Sequence, residues 1–164
     1  MLFTKKAFTM IELVFVIVIL GILAAVAIPR FAVTRTDAQI SKGRADVASI
    51  RSGIITDRQS KLIKGITEYI QAGDATYTVD SVTYNELDIG TSLFGGVLTY
   101  GVEDSTNTGH WHRTALVDNN STKYNYNVAG ENVEFIYTRS GGIFTCDTTA
   151  GTAQAKAYCE DLIN

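Results

Sequence analysis

Proline is almost absent from the 164 residues: Pro29 stands alone, which excludes a proline-rich linker or stalk. Cysteine occurs twice, at Cys146 and Cys159, with neither a CxxC redox motif nor further ligands at zinc-binding spacing. Motifs of the GxSxG, HExxH, P-loop and Rossmann types are missing too. The chain therefore reads as a non-enzyme without a cofactor. His110 and His112 flank Trp111 and place two imidazoles on one face of a predicted strand. Two such ligands without a third carboxylate make a poor metal site, and a surface turn anchored by the tryptophan is the expected structure.

Strong net charge is also lacking, but the near balance at −3 hides a separation along the chain. From Arg30 to Lys64 eight Lys/Arg stand against three Asp, a balance of +5. From Gly65 to Asn164 four stand against thirteen Asp/Glu, a balance of −9. A basic stretch joined to an acidic one suits binding between copies of the chain, and equally suits two solvated surfaces.

What the chain does have is one long apolar run, Phe8 to Ile28, after a short basic tip, Met1 to Ala7, that carries Lys5 and Lys6. As a helix the run is about 30 Å long, the thickness of a bilayer's hydrocarbon core. Glu12 breaks it, and a carboxylate at such depth costs roughly 2.5–3.5 kcal/mol. A secretory signal ending at Ala25-Val26-Ala27 leaves that glutamate unexplained, and so does a plain single-pass anchor.

A third reading explains it. Lys5-Lys6-Ala7, then Phe8-Thr9-Met10-Ile11-Glu12-Leu13, running on to Ala27-Ile28-Pro29, resembles the class III signal of type IV prepilins and pseudopilins. The resemblance covers about thirty residues and departs from the family at Ala7, where the family has glycine. It implies cleavage between Ala7 and Phe8 by a prepilin peptidase, then N-methylation of the Phe8 amine. It further implies assembly through Glu12, which takes the amine of a neighbouring copy, with Gly21 to Pro29 as a stretch able to extend in the filament. The implied partners are other copies and related pilins, the peptidase, an inner-membrane assembly platform, and membrane lipid before assembly. The implied location is the bacterial inner membrane, then a periplasmic or cell-surface filament.

Beyond Pro29, which is expected to kink or loosen the helix, Ile40, Gly43, Val47, Ile50 and Ile54 recur at helical spacing as a one-sided stripe. The stripe predicts packing under a sheet, with the helix ending near Gly65 and Gly53 weakening it. Short strands are expected at Tyr77–Val79 and around Val82–Tyr84 in a loop-rich stretch. Lys123–Val128, Asn132–Thr138 and Gly142–Cys146 alternate in polarity and are separated by turn residues, with a further strand near Trp111–Val117. They predict an antiparallel meander of three or four strands. A short helix is expected within Ala150–Ile163, held to the last strand by a Cys146–Cys159 disulfide worth about 3 kcal/mol.

The predicted class is α+β, a long N-terminal helix packed on a small antiparallel sheet. Its parts are a leader (1–7), a transmembrane and assembly helix (8–29), an amphipathic continuation (30–65) and a β head (66–164). Asp118-Asn119-Asn120-Ser121-Thr122 resembles the extended acceptor of bacterial oligosaccharyltransferases, which makes Asn120 a glycosylation candidate beside the plain reading of a polar turn. The acidic loop by which some pseudopilins bind calcium is not evident, so no metal is expected. Eight tyrosines could stack on nucleic-acid bases, but an acidic head opposes phosphate binding. The expected function is a structural subunit of a type IV pilus-like filament. Its alternatives are a pseudopilin of a type II secretion or DNA-uptake system, and a membrane-anchored or secreted binding domain.

Overall fold

Helix α1 takes up Met10–Ile63, 54 residues, and ends where Lys64 and Gly65 turn, Gly65 at a φ of 79° that glycine adopts without strain. The computed structural model describes residues 8–71, 77–79, 82–84, 87–89, 92–118 and 120–164, with 28–33, 77–79, 82–84 and 115–118 described by backbone alone. Two compact units divide the chain, Met1–Asp37 and Ala38–Asn164.

In the second unit the predicted stripe is the buried face of the helix: Val47, Ile50 and Ile54 are inaccessible and Ile40 is partly so. Opposite them lies a four-stranded antiparallel meander, β5 (Trp111–Asp118), β6 (Ser121–Val128), β7 (Glu131–Thr138) and β8 (Ile143–Cys146), paired in chain order. Side chains alternate across a strand. Tyr124, Tyr126 and Val128 of β6, Val133, Phe135 and Tyr137 of β7 and Phe144 of β8 thus share one buried face. Their rings pack closely around Trp111: the indole lies 4.8 Å from Tyr126 and 5.1 Å from Phe135, and Phe135 stacks on Phe144 at 5.3 Å.

Polar ties fix the helix against the sheet. Trp111 Nε1 donates to Asp46 Oδ2 at 3.0 Å, and the Tyr126 hydroxyl donates to the Gln39 carbonyl at 2.7 Å. Gly43 is there because of distance: a Cβ at that position would meet the Tyr126 ring at 2.4 Å and Leu162 at 2.6 Å. Gly53, expected only to weaken the helix, has a similar reason, since its Cβ would stand 2.6 Å from the Val97 carbonyl.

The stretch before the meander holds β1 (Tyr77–Val79) and β2 (Val82–Tyr84) as an antiparallel pair, matching the expected strands. A second pair, β3 (Ser92–Leu93) with β4 (Val102–Glu103), was not foreseen. It brings Leu93 and its neighbour Phe94 into the core beside Leu87. Helix α2 (Ala153–Ile163) is capped by Thr152, whose Oγ1 accepts from Ala155 N at 3.1 Å. Cys159 of α2 is bonded to Cys146 of β8, with Cα atoms 5.9 Å apart.

One expectation is corrected here. Trp111 anchors no surface turn; it is fully buried at the centre of the aromatic cluster. Three cations of the basic stretch bond within their own chain. Lys42 Nζ donates to the Gly109 carbonyl at 2.6 Å, Arg44 Nη2 to that of Asp161 at 2.6 Å, and Arg51 Nε to that of Phe144 at 2.9 Å. Carbonyl acceptors leave no trace in a count of charges, which is why sequence missed them.

Candidate functional site

The N-terminal segment starts its helix with a side-chain cap. Thr9 Oγ1 accepts from the Glu12 amide at 3.3 Å, and the Thr9 carbonyl accepts the first helical bond, from Leu13 N, at 3.2 Å. Thr9 is thus the N-cap and Glu12 the third helical residue, the Thr-x-x-Glu spacing of a capping box. Sequence reading singled out Glu12 and overlooked Thr9, although the spacing was there to be seen. The carboxylate also lies in the first turn, where the positive end of the helix dipole favours it. Glu12 therefore has a local reason for its place, in addition to any partner.

From Met10 to Ala27 the helix is apolar but for Glu12, and none of it is buried within the chain. Phe8 is 79 % exposed and Leu20 58 %. Among the described residues this is the one helix long and apolar enough to cross a membrane. Gly21 faces open space, with no atom within 4 Å of where a Cβ would stand. Nothing inside the chain therefore requires a glycine there. The helix runs unbroken through Pro29, whose side chain lies outside the described residues. Ala7 and the rest of the leader lie outside the described residues.

The other predicted residues sit in the second unit. Cys146 and Cys159 are both buried, their bond joining the last strand to the last helix. Asn120 accepts from Ser140 N through Oδ1 at 2.9 Å, and its carbonyl accepts from Arg139 N at 2.7 Å, so it ties the β5–β6 turn to the end of β7. Asn119 of the same motif lies outside the described residues. His112 Nδ1 lies 2.6 Å from Asp104 Oδ1 as a half-exposed pair, and among the described residues no group of three or more His, Cys, Asp or Glu could hold a metal ion.

Three of the tyrosines weighed as base-stacking platforms, Tyr124, Tyr126 and Tyr137, are core residues instead. Burial pushes each phenol above its ordinary range. Beside Tyr124 lies Asp88, fully buried, its carboxyl raised by burial and held down in part by the Phe94 amide, the Tyr124 hydroxyl and Arg113. Asp88 pins the turn in which Phe94 takes a φ of 58°, a cost that an ordinary side chain accepts only when its surroundings impose it.

No curated protein and no solved structure matches the chain. Residues 2–28 match the family model described as the prokaryotic N-terminal methylation motif, which is the class III signal of type IV pilins and pseudopilins.

Proposed function

We propose that the chain is a structural subunit of a type IV pilus-like filament, cut between Ala7 and Phe8, methylated on the Phe8 amine and assembled through its N-terminal helix. The observation that carries this reading is the coincidence of the methylation motif with a helix that buries nothing within its own chain. The eighteen-residue span from Met10 to Ala27, apolar but for Glu12, needs an environment supplied from outside. The bilayer supplies it first and the packed helices of other copies supply it in the filament.

Cleavage removes Lys5 and Lys6 and creates an ammonium at Phe8, one residue before the cap. That new charge faces the positive end of its own helix dipole, an unfavourable placement. A carboxylate from a neighbouring copy relieves it, and Glu12 is at the depth to do so. In a low-dielectric core each charge alone is strongly disfavoured and the pair is strongly attracted, so a subunit joins only at the stagger that satisfies both. Gly21 would then be small for the sake of a neighbouring helix, and the stretch to Pro29 able to extend on assembly. The leader, membrane helix, continuation and head divide as 1–7, 8–29, 30–65 and 66–164.

The test is Glu12→Gln, scored by membrane fractionation and by electron microscopy of surface filaments. Insertion without filaments is the expected result; normal filaments from the variant remove the register lock. A pseudopilin role shares the motif and the processing. The disulfide-closed C-terminal segment favours the pilin, and loss of surface filaments on deletion, with protein secretion and DNA uptake intact, decides for it.

A further inference from the structure

We propose that a cleft of about 380 Å³ at the end of α1 binds a small anionic sugar, carboxylated or phosphorylated, between Arg58 and Arg139. The cleft lies wholly within the second unit and owes nothing to the N-terminal motif. It brings together two guanidinium groups, Arg58 from the basic stretch of α1 and Arg139 from the acidic region beyond Gly65.

Arg58 is aimed without a carboxylate. Its guanidinium carbon lies 4.6 Å over the Tyr69 ring, and Nη1 is buried with no hydrogen-bond partner. A buried charged donor left unsatisfied is uncommon in a folded protein. The platform beneath it is fixed from the other side, because a Cβ at Gly142 would meet the Tyr69 ring at 2.2 Å. A planar guanidinium stacked in this way is prepared for a flat or tetrahedral oxyanion.

Arg139 already shows what the cleft accepts, since its Nη2 is paired with the carboxylate of Glu68. The Glu68 side chain is 50 % exposed, so it can swing into water and give up its place to a ligand's anion. Apart from Tyr69 the remaining wall is polar: the Thr67 and Ser140 hydroxyls are groups that hold sugar hydroxyls, and the Asn120 amide is bonded to Ser140. The volume is in the range of small-molecule sites and suits a single sugar ring.

Calorimetric titration of the full chain in non-ionic detergent tests this, with glucuronate, glucose 6-phosphate and uncharged glucose as probes. One anionic probe binds and glucose does not; which of the two binds more tightly identifies carboxylate or phosphate. Arg139→Ala weakens that binding at least tenfold, while Glu68→Gln, which removes the competing charge, strengthens it severalfold. Lys64→Ala, an exposed cation at the helix end, leaves it unchanged. Glucose binding as well as the anions, neither anion binding, or Glu68→Gln leaving the affinity unaltered would each overturn the proposal.

Discussion

Two stretches of one helix follow opposite rules. Met10–Ala27 is apolar but for Glu12 and buries none of it in its own chain, whereas the stretch from Ala38 to Ile63 buries the stripe through Val47, Ile50 and Ile54 and leaves Ile55, Leu62 and Ile63 exposed outside it. An all-round apolar helix has its partner outside the chain; a striped one has it inside. The difference separates what one element needs from outside its chain from what it finds inside, and each substitution below acts on one side of it.

The largest effect is expected in the striped half. Ile50→Ala should lower the unfolding free energy of the Ala38–Asn164 unit by about 2–5 kcal/mol, because it opens a cavity at a fully buried site. Ile17→Ala, the same change at a residue 56 % exposed, should leave that transition within about 0.5 kcal/mol of the parent. Denaturant titration followed by Trp111 fluorescence measures both. Equal effects would erase the comparison.

Replacing both Cys146 and Cys159 with serine should cost about 3 kcal/mol by the same readout, through the freed loop between β8 and α2. The glycines sharpen the contrast further. Gly43→Ala pushes a methyl group into Tyr126 and Leu162 and should destabilise by about 1–3 kcal/mol. Gly21→Ala meets open space and should raise helicity in detergent by up to about 1 kcal/mol, its penalty appearing only in filament yield. Circular dichroism and filament recovery separate the two.

Alkali gives the most gradual effect. Tyr124, Tyr126 and Tyr137 ionise with more difficulty folded than unfolded, so their contribution is complete below pH 10 and is lost as pH rises beyond it. For Tyr124 the loss is about 1.4 kcal/mol per pH unit. Tyr124→Phe should flatten the alkaline limb of the stability profile, while its neighbour Asp88 loses a hydrogen bond.

Much of this fold was legible in the sequence because its signals are periodic. The 3-4-3-4 spacing from Ile40 to Ile54 marked the buried face, and the period of two in Lys123–Val128 and Asn132–Thr138 marked β6 and β7. The turn at Phe94 was not legible, because it rests on one buried carboxylate, Asp88, reaching Phe94, Arg113 and Tyr124. Trp111 was placed at the surface for a related reason: its partner, Asp46, is on a different element. At the N-terminus the charge, aromatic and proline spacings carried the motif by themselves. The Thr9 cap was passed over because Glu12 was read only as a charge in an apolar medium and not as a helix terminus. The Arg58–Arg139 cleft could not be read at all, since only folding brings its two walls together.

The central claim, that the exposed helix is made for assembly once the leader is cut, is tested most directly at the new N-terminus. Mass spectrometry of the mature protein should find a chain beginning at methylated Phe8, despite Ala7 standing where the family has glycine. A chain that keeps Met1, or one that begins at Ile28, would contradict it.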